Sequence, residues 1–292
     1  MATDPPFASS PEIAPVAASK ARAASAFERP ELSAIAETKS DLEMGTPLNQ
    51  ALGIESDILW DLEVNANRPD AMSIAGVARD LAAALNVPFT YPKLKDRTNS
   101  QGKEQRVAVE IQDSTLCGRF IACVVENISI GPSPQWLQNR LVHLGMRPIN
   151  NVVDISNYVM LELGQPNHTY DFAKVKEGLI GVRRANDGEI IKTLDGVERE
   201  LTEIDGVITD ADDKPIGIAG VMGGESTEIS DATEAVIIEI AWWDPPSISR
   251  TVKRLNLMSE ASMRFRRGAD YGENMVRAME RMIDLFDECG EV

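Results

Sequence analysis

The residues of this chain best suited to chemistry are a histidine, two hydrogen-bonding side chains ahead of it, and one isolated acid. The first three lie in a single stretch, Asn150 to Asp171, NNVVDISNYVMLELGQPNHTYD. Val152, Val153, Ile155, Tyr158, Val159 and Leu161 fall at the spacings of one helix face, and Ser156 and Asn157 sit inside that run. Gly164 supplies a helix stop, and Pro166 keeps the helix from resuming. The turn ends on His168, one of only two histidines in the chain, with Asp171 just beyond. Polar groups on a rigid element that face a titratable ring suit a reactive site. The spacing by itself fits a structural histidine as well. The isolated acid is Glu239, alone in the apolar run AVIIEIAWW. Such a residue is either a hydrogen-bond acceptor or half of an ion pair. No nucleophilic triad is visible, and His143 reads as a structural residue on a helix.

The elements that would hold these residues can be traced in order. Residues 1–41 are rich in Ala, Pro, Ser and Glu with little periodicity, which reads as a disordered tail. Ile58, Trp60 and Leu62 alternate with less apolar neighbours, as in a strand. Asn67-Arg68-Pro69-Asp70 is a turn before a helix from about Met72 to Leu85, with Asp70 as its cap and Ile74, Val77, Ala78, Leu81, Ala84 and Leu85 as its buried stripe. Residues 42–94 are thus expected to form a small helical domain, and 104–292 a second, larger one. In the latter, strands are expected at Val107–Ile111 and Phe120–Ile130, then a helix from Pro134 to Leu144. Short strands follow, with a hairpin turn at Leu194-Asp195-Gly196. The glycines between Ala219 and Gly224 lack phosphate-loop spacing, so they mark a tight turn or backbone close to a ligand. Asp244-Pro245-Pro246 opens a helix, Ser259-Glu260-Ala261-Ser262 opens another, and Tyr271 to Cys289 is amphipathic. Strands and helices interleave without regular alternation. The fold class is therefore α+β, a mixed sheet with surrounding helices.

Composition narrows the partners. A net charge of -17 makes the chain a poor general binder of phosphate backbone, so nucleic acid contact must be local or shared with another chain. Three cysteines form no metal-ligand spacing and no even disulfide set, which fits a cytoplasmic protein. No apolar run approaches membrane-spanning length, and no membrane partner is expected.

The stretch VVDISNYVMLELGQPNHTYD resembles, almost residue for residue, the tRNA-editing region of bacterial-type phenylalanyl-tRNA synthetase β subunits, whose pattern reads roughly VVDxTNYVxxELGQPxHAFD. EVNANRPDAMSIAGVARDLAAAL, IAGVMGGESTEIS, AVIIEIAWWDPPSISRT and SEASMRFRRGAD extend the likeness from about Thr46 to the C-terminus. The resemblance implies an editing domain at 104–292, preceded by the end of the family's N-terminal domain. It implies hydrolysis of tyrosine wrongly attached to phenylalanine tRNA, with the 3′ end of that tRNA and the synthetase α subunit as partners. No cofactor is implied for this chain: ATP and magnesium serve the whole synthetase elsewhere, and no metal site is expected. A non-catalytic RNA-binding or assembly module is the alternative.

The same resemblance places Ser156, Asn157 and His168 at the catalytic positions and Glu239, Gly223, Ser259 and Ala261 at the substrate-binding ones. Glu239 would accept the hydroxyl that distinguishes tyrosine from phenylalanine. Such recognition can discriminate by roughly 10⁴-fold, because the smaller ring leaves the acceptor unpaired. Gly223 and Ala261 would let the ring approach the backbone. His168 would order the attacking water or bind the terminal ribose, and Ser156, Asn157 and Ser259 would donate to the ester. Ser156 and Ser259 replace threonines, Arg266 replaces a glutamate, and Asn167, Thr169 and Tyr170 replace commoner residues around the histidine. Family members carry further domains on both sides, so the chain is expected to be a truncated product or a fragment.

Overall fold

A computed structural model describes residues 58–97 and 106–289. Helix α1 (Ile74–Leu85) is followed by β1 (Ala108–Ile111), β2 (Cys117–Glu126), α2 (Gln135–His143), α3 (Asn151–Leu163) and β3 (His168–Asp171). Then come β4 (Leu179–Arg184), β5 (Ile190–Lys192), β6 (Glu198–Glu200), β7 (Gly206–Thr209), β8 (Pro215–Ile218), β9 (Met222–Gly223) and β10 (Ala235–Trp243). Helices α4 (Pro245–Leu255), α5 (Glu260–Phe265) and α6 (Glu273–Cys289) complete the described residues. The class is α+β. A five-stranded sheet runs β1-β4-β7-β8-β9 with only β1 and β4 parallel, a second sheet runs β2-β10-β3, and β5 and β6 form a hairpin.

Strand β10 is the centre of the second sheet and explains its nearly unbroken apolar sequence. Ile237, Ala241 and Trp243 enter the core shared with the five-stranded sheet. Val236, Ile238 and Ile240 enter a second core with α3 and α6, where Met275, Met279, Met282 and Phe286 are buried. A strand covered on both faces has no side to give to polar residues, so an acid within it has to be paired inside the protein. Cys117, at the start of β2 opposite Trp243, is also buried, and desolvation pushes its thiol up to about 12.

Helix α3, which carries Ser156 and Asn157, is capped at both ends, and its stop at Gly164 is the one the sequence predicts. Asn150 Oδ1 accepts from Val153 N at 2.9 Å, and Gly164 adopts φ +74° at the C-cap. Asp244 likewise caps α4 through Ser247 N at 2.9 Å.

The N-terminal segment departs from expectation. Residues 58–63 form no strand, and Ile58, Trp60 and Leu62 are exposed. The cap of α1 is Ser73 instead of Asp70: Ser73 Oγ accepts from Gly76 N at 3.0 Å and donates to Asp70 O at 2.8 Å. Asp70 instead pairs with Arg68 and Arg79. The expected apolar stripe points outward, with Ile74, Leu81 and Leu85 exposed by 47%, 56% and 62%. The helix buries Ala75, Gly76 and Ala82, because only small side chains permit its close approach to α3 and the preceding turn. Gly76→Ala tests this. In an ordinary helix alanine gains about 1 kcal/mol over glycine. Here its Cβ would lie 1.8 Å from the Asp70 carbonyl oxygen, a backbone atom that cannot rotate away. The expected result is a net loss of about 1–3 kcal/mol in thermal unfolding, as in overpacked cores. A raised melting temperature would refute this packing.

Candidate functional site

Three of the sequence-derived residues meet where the two sheets adjoin. His168 opens β3 and stands directly across from Glu239 on β10, so the two side chains share a face of the second sheet. Gly223, on β9 at the edge of the other sheet, abuts the imidazole: a Cβ built there would lie 2.5 Å from both His168 Cε1 and Nε2. The hairpin turn closes over this glycine, with Leu194 N donating to Gly223 O at 3.1 Å and Thr193 bridged to Gly224. Gly223 thus lies close to a side chain and Gly224 close to backbone, where an added Cβ would be 2.7 Å from the Ile216 carbonyl oxygen.

Ser259 is held differently from the donor role its position implies. Its hydroxyl accepts from Ser262 N at 3.1 Å as the cap of α5 and donates its only proton to Val221 O at 2.7 Å. In this arrangement Ser259 ties α5 to the strand leading into Gly223. Ala261 is half-buried against the core that contains Tyr170 and Ile237. Ser156 and Asn157 are half-buried on α3, and among the described residues no hydrogen bond joins either side chain to His168. The link to the histidine runs through the backbone: Asn167 Nδ2 donates to Ser156 O at 3.1 Å.

Two participants were not read from the sequence as site residues. Asn167 Oδ1 is buried beside the histidine with no protein partner among the described residues. Tyr170 is the larger omission. It lies two residues along β3 from His168, on the same face, with the two rings edge-to-face at 4.6 Å. Its hydroxyl donates to Glu239 Oε2. The strand register creates this pair, and sequence spacing alone gives no register between segments so far apart.

Burial sets the charges. Desolvation lowers His168 to about 4, so the ring is neutral at physiological pH and can donate or accept a hydrogen bond without carrying charge. Desolvation raises Glu239 to about 7, and the Tyr170 hydrogen bond opposes that rise. The two shifts act oppositely on stability. Below about 6.5 the unfolded histidine takes a proton that the folded one refuses until about 4, so acidification destabilises through His168. Between about 7 and 4.5 the folded state protonates Glu239 first, so acidification stabilises through it. Relative to wild type, Glu239→Gln should lose more stability from pH 7 to 4.5, and His168→Gln should gain over the same window. Denaturant midpoints across that range give the answer; parallel curves for all three proteins would rule out these shifts.

Among the described residues no cluster of His, Cys, Asp or Glu could hold a metal ion, and no helix is long and apolar enough to cross a membrane. Residues 116–291 match the B3/4 domain family. The phenylalanine–tRNA ligase β subunit of Geobacter sulfurreducens is 44% identical over 249 residues, covering 85% of this chain and 31% of that protein. That of Moorella thermoacetica is 46% identical over 248 residues, covering 85% and 30%. The chain therefore spans under a third of the length of these relatives, 31% and 30%. A solved N-terminal fragment of the phenylalanyl-tRNA synthetase β-subunit from Pyrococcus horikoshii covers 66% of this chain and 58% of that one, at 19% identity and a TM-score of 0.38.

Proposed function

Because the chain belongs to the B3/4 domain family, in the form found in phenylalanine–tRNA ligase β subunits, we propose that it hydrolyses tyrosine mischarged onto phenylalanine tRNA. The observation that carries this reading is the juxtaposition of Glu239, His168 and the bare backbone of Gly223. A buried carboxylate offers an acceptor to a phenol, and the bare backbone of Gly223 lets a neutral imidazole stand directly against it. The tRNA 3′ end would bring the ester to this junction, in a complex whose α subunit attaches phenylalanine using ATP.

In this reading His168 positions the attacking water. A ring titrating near 4 is a weak base at pH 7, so its contribution is orientation more than proton storage. Glu239 reads the substrate hydroxyl, most strongly when ionised, since a hydrogen bond to a charged acceptor is the stronger kind. Gly223 and Ala261 shape the space for the ring, and Ser259 fixes the approach to Gly223 through Val221. Ser156 and Asn157 present donors from the rigid helix α3.

The deciding experiment is deacylation of tyrosyl- and phenylalanyl-tRNA by the purified chain. Preferential release of tyrosine supports the reading; no hydrolysis of either ester returns the chain to a non-catalytic module. Binding of tRNA by the chain alone should be weak, because the charge of -17 opposes the phosphate backbone. Submicromolar, salt-dependent binding at physiological ionic strength would contradict that expectation.

A further inference from the structure

The carboxylate assigned to the substrate hydroxyl already has a phenol bonded to it. Glu239 is only 5% exposed, Tyr170 is fully buried, and the Tyr170 hydroxyl donates to Glu239 Oε2. Among the described residues Oε1 has no side-chain partner. We propose that Tyr170 is a specificity-setting residue, an internal phenol that occupies one oxygen of Glu239 and leaves the other for the hydroxyl of the substrate. This deepens the editing reading and rests on it.

The physical consequence concerns the wrong ligand. Discrimination by a missing hydroxyl depends on leaving a buried polar group unpaired. With Tyr170 in place, Glu239 keeps one partner even when a phenylalanyl ring enters, so the penalty on that ring is reduced. The internal bond also holds Glu239 in the ionised, accepting form over a wider pH range. Tyr170 thus exchanges some discrimination for a carboxylate that ionises at a lower pH than burial alone would allow. His168 is the other ring against Tyr170, and it is neutral in this range, so Glu239 is the titrating group the phenol faces.

Tyr170→Phe removes the hydroxyl and keeps the ring that packs on His168. Deacylation of tyrosyl- and phenylalanyl-tRNA is measured from pH 6 to 9 in both proteins. The maximal tyrosyl/phenylalanyl ratio should rise by roughly tenfold or more, as expected for loss of a hydrogen bond to a charged group. The pH at which the ratio climbs should move upward. An unchanged ratio and midpoint would overturn the proposal and leave Tyr170 a packing residue. A second readout does not depend on hydrolysis: carboxyl ¹³C titration of Glu239 in the full chain. An upward shift in the variant supports the internal bond to Glu239 on which the proposal is built; if neither protein hydrolyses either ester, the editing reading fails and the specificity role falls with it, whatever the titration. Coincident titrations overturn it whatever the activity.

Discussion

Gly223→Ala is expected to abolish most of the proposed hydrolysis while leaving the protein folded. The added Cβ would lie 2.5 Å from two atoms of the His168 ring and 3.1 Å from Leu194 Cδ1. All of these belong to side chains, so the fold can yield by moving them. The stability cost should fall in the lower part of the 1–3 kcal/mol usual for an overpacked site, at about 1 kcal/mol. The chemistry has no such latitude. A catalytic group displaced by about 1 Å can cost on the order of 10²-fold in rate. The edge-to-face contact with Tyr170 bounds the ring on one side, so it yields by moving away from its native position instead of turning in place. Tyrosyl-tRNA deacylation and thermal unfolding on the same sample make the comparison. A folded variant with wild-type deacylation would remove Gly223 and the imidazole it touches from the site.

Glu239→Ala should separate discrimination from rate. Without the acceptor, a substrate hydroxyl gains nothing over its absence, and the preference for tyrosyl- over phenylalanyl-tRNA should collapse. Such recognition reaches roughly 10⁴-fold or more when the acceptor is left unpaired, and with the internal partner of Glu239 the wild-type value is expected to be lower. The structure adds a cost that the sequence alone does not suggest. Removing the carboxylate strands the Tyr170 hydroxyl in a buried site, worth about 1–3 kcal/mol. Glu239→Gln is the matched control, because it keeps the volume and an acceptor for Tyr170. Should Glu239→Ala keep the wild-type ratio, Glu239 would revert to a purely structural partner of Tyr170.

Local signals were legible where chemistry and conformation coincide within a few residues. Gly164 and Asp244 bound their helices as read, and the isolation of Glu239 within AVIIEIAWW announced a buried acid in need of a partner. What the chain could not disclose is register. Tyr170 and Glu239 meet only because β3 lies antiparallel to β10 with His168 opposite Glu239, a pairing between strands far apart in sequence. Ser259 shows the same limit: its segment reads as the opening of a helix, yet its proton goes to a carbonyl on another segment. The stripe of α1 failed for a different reason. Periodicity marks the most apolar face, whereas this helix packs through its smallest residues.

The thiol of Cys117 makes the junction of β2 and β10 a clock. At pH 8 a group titrating near 12 is thiolate in only about one molecule in 10⁴, so alkylating reagents meet almost no nucleophile while the strands stay paired. Cys123, further along β2, is partly exposed and its thiol is raised less. Labelling should therefore be fast at Cys123 and slow at the two buried thiols, Cys117 and Cys289, with Cys117 reacting only as fast as the sheet opens. The rate at Cys117, read by peptide mass so that Cys289 is counted separately, measures how often the strand that carries Glu239 comes away from its neighbour, with no substrate present.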